Sequence, residues 1–216
     1  MVQIAASLLS ANSLCYKSEI ERALEAGVDR LHFDVMDHHF VPNLTFGPSI
    51  CYDIRQEFPE LIIDVHVMTY HVMELAKAFV DSGATTFTFH ASADNDPRKI
   101  IDYLKSQNVQ SGLAINPNQT LKNAMIEYID HLDMVLVMSV MPGFGGQKWW
   151  PSSVNMLKEC TAYKNEGRSF LLAVDGGINN HTSQKVIEAG ADILVSGSYL
   201  FQHPSIEMAV NALKVN

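Results

Sequence analysis

Glu25-Ala26-Gly27-Val28-Asp29-Arg30-Leu31-His32-Phe33-Asp34-Val35-Met36 carries a helix end, a corner and a strand in succession. Gly27 falls where a helix closes on a left-handed residue. From Arg30 onward the side chains alternate with period two, the repeat of a strand. The corner recurs at Asp81-Ser82-Gly83-Ala84-Thr85 and at Glu188-Ala189-Gly190-Ala191-Asp192, each time after a helical pattern and before a β-type run. The separations approximate two and four units of about 27 residues, one eighth of the 216-residue chain. Eight β-type runs can be marked: Ile4–Leu8, Arg30–Val35, Leu61–Val67, Thr85–His90, Gln110–Ile115, Met134–Met138, Ser169–Val174 and Ile193–Val195. Helical patterns such as Val72–Val80, Pro97–Gln107 and Val154–Tyr163 lie between them. Alternation of this kind implies parallel strands joined by crossovers. Eight units without a long linker predict an α/β fold, a closed (β/α)8 TIM barrel forming a single catalytic domain over residues 1–216. The competing architecture is a doubly wound open sheet. Against it, Ser7-Leu8-Leu9-Ser10-Ala11-Asn12 follows the first strand where a dinucleotide-binding G-x-G-x-x-G would stand, and no organic cofactor is expected.

Composition narrows the function classes. Apolar residues make up 47% of the chain, enough for a core, and the net charge of −9 argues against nucleic acid and anionic membranes as partners. It does not argue against a small anionic substrate, because a site can be locally positive. Cys15, Cys51 and Cys160 have no metal-type spacing and read as reduced thiols. With no basic n-region at the start and no apolar run of membrane-spanning length, the expected location is the cytoplasm.

Asp64-Val65-His66-Val67-Met68 mirrors the second strand: His32, Asp34 and Met36 share one face there, as Asp64, His66 and Met68 do here. The opposite faces (Leu31, Phe33, Val35; Ile63, Val65, Val67) should pack under helices. Burying ionisable groups inside a barrel is costly, which marks a metal site or catalytic carboxylates. In such a barrel the working residues sit at the C-terminal ends of the strands. That rule selects Ser7, His32, Asp34, His66, His90, Asn116 and Asp175. His32, Asp34, His66 and Asp175 together suit one divalent cation, Zn2+, Fe2+, Mn2+ or Co2+; any one histidine alone would read as a hydrogen-bonded core residue. Asp175-Gly176-Gly177 and Ser196-Gly197-Ser198, after strands seven and eight, allow backbone N–H groups to approach a phosphate. Met141-Pro142-Gly143-Phe144-Gly145-Gly146-Gln147 has the glycines of a hinged cover over a ligand. Met36, Met68 and Met138, at corresponding strand ends, would floor the pocket. Asp37, His38 and His39 read as a solvated loop, and His71, His131, His181 and His203 as surface positions.

These residues together resemble the ribulose-phosphate 3-epimerase family. The likeness runs nearly the whole length, through Ala6–Ala11, His32–Asp37, Phe40–Pro48, Asp64–Met68, Pro142–Gln147 and Val174–Ile178. The resemblance implies a (β/α)8 barrel that interconverts D-ribulose 5-phosphate and D-xylulose 5-phosphate in the pentose phosphate pathway, and a homo-oligomer. It implies His32, Asp34, His66 and Asp175 as metal ligands, Asp34 as proton acceptor and Asp175 as proton donor. As contacts to the sugar phosphate it implies Ser7, His66, Gly143, Phe144, Gly145, Gly146, Asp175, Gly176, Gly177, Gly197 and Ser198. Met141, Val67, Trp149-Trp150 and Tyr199 depart from the usual pattern, and bear on lid packing rather than reaction type.

Epimerisation beside a carbonyl removes a proton from one face and returns it to the other, through a flat enediolate. Two carboxylates can do both if one starts ionised and the other protonated. Acid–base catalysis supplies about 3–6 kcal/mol of the roughly 8–23 kcal/mol enzymes need; a cation facing the C2 and C3 oxygens would add several kcal/mol. A hexulose 6-phosphate such as allulose 6-phosphate is an alternative substrate. A decarboxylase of the orotidine-phosphate type would need a lysine within Asp34-Val35-Met36-Asp37, where there is none. A non-catalytic sugar-phosphate sensor would not need the complete ligand set.

Overall fold

The computed structural model describes residues 1–93 and 96–214. The strands are β1 (Gln3–Ser7), β2 (Arg30–Met36), β3 (Ile63–Met68), β4 (Thr86–His90), β5 (Gln110–Ile115), β6 (Met134–Met138), β7 (Leu171–Asp175) and β8 (Ile193–Ser196). Each pairs in parallel with the next and β1 pairs with β8, closing the barrel. The connections carry α1 (Tyr16–Glu25), α2 (Pro48–Glu57), α3 (Val72–Asp81), α4 (Pro97–Ser106), the short α5 (Leu121–Ala124), α6 (Ser153–Asn165), α7 (Ser183–Glu188) and α8 (Ser198–Phe201). Helix α9 (Ile206–Leu213) packs beside α8 and α1. The expected eight-unit barrel is therefore the observed fold.

The recurrent corner has one geometry. Gly27, Gly83 and Gly190 have φ of +85°, +88° and +103°. The residue after each glycine donates its N–H five residues back, Val28 to Ala23, Ala84 to Phe79 and Ala191 to Val186, at 3.0–3.1 Å. This is a Schellman closure, which absorbs carbonyls the helix leaves unpaired. The residue two past the glycine then caps a neighbouring strand. Asp29 accepts from the Ile4 N–H at 2.8 Å, Thr85 from Ile63 at 2.9 Å and Asp192 from Leu172 at 2.7 Å. The motif thus fixes both the helix end and the register of the adjoining strand.

The outer faces of the strands behave as expected: Leu31, Phe33, Val35, Ile63, Val65 and Val67 lie in the core between barrel and helices. The interior is divided. Ala5, Ala114, Met134, Leu136, Met138, Ala173, Ile193 and Val195 fill one side with apolar surface. The inner faces of β2, β3 and β4 carry Arg30, His32, Asp34, Asp64, His66, Thr86, Thr88 and His90, all buried. Cys51 and Cys160 are buried free thiols, pushed up by that burial to about 11 and about 12, so neither is a reactive nucleophile. Cys15 is exposed. No described helix is long and apolar enough to cross a membrane.

Candidate active site

The register of β2 against β3 sets His32 beside Asp64, Asp34 beside His66 and Met36 beside Met68. Alternation aims all six inward, and closure of the barrel brings Asp175, the last residue of β7, to the same place. His32, Asp34, His66 and Asp175 each offer one ligand atom, all within 4.8 Å of one another. Asp34 Oδ1 lies 3.4 Å from His32 Nε2 and 3.3 Å from His66 Nδ1, while Asp175 Oδ2 is 4.0 Å from His32 Nε2. The two histidines therefore face the cluster through different ring nitrogens.

Three of the four side chains are braced from behind, and Asp175 is held through its backbone. Asp64 Oδ2 holds His32 Nδ1 at 2.9 Å, Ser7 donates its hydroxyl to Asp34 Oδ2 at 2.7 Å, and His90 Nε2 meets His66 Nε2 at 3.0 Å. The Asp175 carbonyl accepts from the Ser139 N–H at 2.7 Å and from its hydroxyl at 2.9 Å. The Phe40–Pro48 segment contributes Thr45, whose hydroxyl donates to the Asp34 carbonyl at 2.6 Å and accepts from the Met36 N–H.

Charge is unevenly distributed over the cluster. Burial opposes ionisation of Asp34, but His32 and His66 outweigh it and hold that carboxyl well below its ordinary range. Burial, reinforced by the nearby Asp34 charge, raises Asp175 from 3.8 to about 7. Burial alone would lower His32, yet Asp34 and Asp64 raise it well above 6.5. His66 is lowered by burial, and His90 is lowered further, by burial and by the neighbouring His66. One carboxyl is thus ionised and its neighbour readily protonated.

The donor set fits a divalent cation. His32 Nε2 is buried, has no hydrogen-bond partner, and points at two carboxylates. Two imidazole nitrogens with two carboxylate oxygens are ligands accepted by Zn2+, Fe2+, Mn2+ and Co2+ alike.

Above the cluster lies a cavity of about 320 Å³. Its lining includes Ser7, Asp34, Met36, Met68, Met138, Gly143, Phe144, Gly145, Gly146, Asp175, Gly176, Gly177, Gly197 and Ser198. Of the positions expected at the site, His32, His66, His90 and Asn116 do not border it; His32 and His66 lie beneath, fully buried. Gly176 and Gly177 have φ of +119° and +64°, and a Cβ on Gly177 would sit 2.9 Å from the Trp149 nitrogen. The 141–147 segment is tied down at several points. Asn43 Nδ2 donates to the Gly143 carbonyl at 2.7 Å, and Gln147 Nε2 donates to Met141 and Phe144 carbonyls at 2.7 and 2.8 Å. Phe144 remains 53% exposed, an aromatic side chain standing at the mouth.

Sequence reasoning placed Asp64 on the inner face but assigned it no partner. It likewise missed Leu9, Ser10, Asn179 and Gln202 in the lining. Asp37, read as solvated, instead closes a turn: Oδ1 accepts from the His39 and Phe40 N–H groups and Oδ2 from the Thr69 hydroxyl. Asn116 faces a neighbouring cleft that also includes Tyr70 and Phe144, away from the cluster.

A closed (β/α)8 barrel that gathers two aspartates and two histidines under a glycine-rimmed cavity has the architecture of an enzyme. A family model described as the ribulose-phosphate 3 epimerase family matches residues 3–201. The chain is 38% identical over 215 residues to a protein of Chlamydia trachomatis named ribulose-phosphate 3-epimerase, covering 98% of this chain and 91% of that one. It is 38% identical over 217 residues to the Bacillus subtilis protein of that name, covering 99% of each, and 37% identical over 213 residues to that of Escherichia coli K12, covering 98% and 94%. The chain belongs to the ribulose-phosphate 3-epimerase family and is an epimerase. Among solved structures it is similar to KGPDC from Streptococcus mutans (TM-score 0.73, 19% identity, covering 99% and 95%). It is also similar to 3-hexulose-6-phosphate synthase from Salmonella typhimurium (TM-score 0.71, 14% identity, covering 98% and 96%). At these identities the likeness is one of fold.

Proposed function

We propose that the protein, as one catalytic domain, is a metal-dependent 3-epimerase that interconverts D-ribulose 5-phosphate and D-xylulose 5-phosphate, with Asp34 and Asp175 as base and acid. The observation that carries this reading is geometric: in a chain of the epimerase family, carboxyls from β2 and β7 converge with two imidazoles under one cavity, and the opposite directions in which their surroundings push Asp34 and Asp175 support it.

Asp34 starts ionised and accepts the proton from C3; Ser7, bonded to its other oxygen, holds the accepting carboxylate in place. Asp175 comes from a different sector of the barrel, starts protonated, and returns a proton to the opposite face of the flat enediolate. Run in reverse, the two exchange roles, as interconversion of epimers requires. His32 through Nε2, His66 through Nδ1 and one oxygen from each aspartate would hold a divalent cation. When bound, such a cation stabilises the negative charge that develops on the sugar oxygens, by several kcal/mol. Gly176, Gly177, Gly197 and Ser198 would receive the phosphate, Met36, Met68 and Met138 give the floor an apolar surface, and Gly143–Gly146 with Phe144 exclude water. The family resemblance further points to a homo-oligomer in the cytoplasm, the former open to sedimentation analysis.

The test is turnover of ribulose 5-phosphate by metal-loaded Asp34→Asn and Asp175→Asn, with exchange of the C3 proton against solvent deuterium. Each substitution should reduce turnover by about 10²–10⁴-fold or more while the fold survives. Near-normal turnover in either would refute the two-carboxylate mechanism. The same assay on a six-carbon ketose 6-phosphate decides between pentulose and hexulose substrates.

A further inference from the structure

His90 ends β4 on the inner face, 1% exposed, and does not line the cavity. Its polar neighbour is His66: the two Nε2 atoms are 3.0 Å apart, with ring centroids at 5.1 Å and planes inclined by 38°. The other nitrogen of His66, Nδ1, faces Asp34 within the cluster. An imidazole that presents a lone pair at Nδ1 must carry its proton on Nε2. That proton would point straight at His90 Nε2, and two N–H groups cannot face each other at this distance. His90 must then be bare at Nε2 and protonated at Nδ1.

The surroundings permit this. His90 Nδ1 has no hydrogen-bond partner, so no contact prescribes which nitrogen bears the proton. The Phe40 ring, 5.2 Å away and inclined by 39°, packs against the imidazole without competing for either nitrogen. His32 has a matching arrangement, its far nitrogen being held by Asp64 at 2.9 Å. Groups that fix the far nitrogen of a metal-binding histidine select its tautomer and its orientation. We propose that His90 is a positioning residue, accepting the His66 Nε2–H and so turning the Nδ1 lone pair of His66 into the cluster. The inference rests on the reading that the cluster holds a divalent cation.

The experiment compares wild type, His90→Phe and His90→Gln. Phenylalanine keeps a buried ring but offers no acceptor; glutamine offers a carbonyl near the place of Nε2. Co2+ affinity is followed by visible absorption of the bound ion, and the proton positions of His66 and His90 by nitrogen-15 NMR of the Zn2+-loaded wild type. Loss of a group of this kind weakens metal binding by about 10–100-fold. That loss is expected in His90→Phe, with His90→Gln nearer to wild type, and the wild-type spectrum should place the protons on His66 Nε2 and His90 Nδ1. Unweakened Co2+ binding by a folded His90→Phe overturns the proposal, as does a His90 proton on Nε2 in the loaded wild type. The NMR result decides the matter even if His90→Phe does not fold. Wild-type protein that binds no Co2+ overturns the cation reading itself, and the role of His90 with it.

Discussion

At the scale of single residues, the cluster links protons, stability and metal. Asp175 rises from 3.8 to about 7, first through burial and then through the Asp34 charge. Between those values the folded protein keeps a proton that the unfolded chain has released, so the contribution of this group to stability falls as pH rises through the window. His32, raised well above 6.5 despite its burial, falls in the same direction at higher pH. Through Asp175 the metal-free protein should therefore lose stability between about pH 4 and about pH 7, against the gain that the lowered His66 and His90 contribute as pH rises toward 6.5. Asp175→Asn should flatten that decline, as read by urea midpoints in excess chelator; an unchanged slope would show that Asp175 is not the group retaining the proton. A cation ligated by His32 Nε2 must displace the proton of that nitrogen, so its affinity in the wild type should increase with pH while His32 stays protonated in the metal-free protein, measurable by calorimetry in buffers of different ionisation enthalpy.

Elements are where the sequence was most and least legible. The glycine corners were readable because the required φ excludes most other residues, and all three are left-handed. The equivalent corner after α4 escaped notice. Asn108 takes φ of +57° there, and Val109 donates back to Leu104 at 3.0 Å in the same closure, but Asn-Val is not a distinctive signal. Strand centres were legible from alternation, their ends less so. Leu8 leaves β1 for a short 3-10 turn, and β7 extends to Asp175, because ends are set by hydrogen bonds to neighbouring strands rather than by side-chain pattern. The cluster was visible as inward-facing His and Asp; its braces were not, since the His66–His90 contact exists only once β3 and β4 are in register. The corners also yield a stability prediction. An alanine at Gly27 would meet nothing within 4 Å and should cost only the left-handed strain, about 1–2 kcal/mol. At Gly190 a Cβ would stand 2.0 Å from Thr161 Oγ1, whose hydroxyl donates to the Ala189 carbonyl. Gly190→Ala should therefore destabilise more than Gly27→Ala in denaturant titrations, and equal losses would mean that the Thr161 contact is relieved at no cost.

For the whole molecule, the division of the barrel interior decides where a ligand adds rigidity. Apolar side chains close-pack one side, whereas buried ionisable groups on β2, β3 and β4 occupy the other. That second side contains polar atoms without hydrogen-bond partners, among them Arg30 Nε, Asp64 Oδ1 and Thr88 Oγ1, so its packing contributes less favourable energy than the first. The four candidate ligands come from β2, β3 and β7, so a cation among them would join β2 and β3 to a strand separated from them by β1 and β8 on one side and by β4, β5 and β6 on the other. A ligand bound only by the native state at a hundred times its dissociation constant stabilises by about 2.7 kcal/mol. For a chain of this size that corresponds to roughly 5–10 °C in Tm. Addition of Mn2+ to chelator-treated protein should raise Tm by that order, and renewed chelation should reverse the rise. In Asp175→Asn, which removes the β7 carboxylate, the increment should shrink sharply, whereas in Gly27→Ala, on the far end of the barrel from the cluster, it should persist on a lower baseline. A wild-type Tm indifferent to Mn2+, Zn2+ and Co2+ alike would mean that the two aspartates and two histidines answer to one another rather than to a metal.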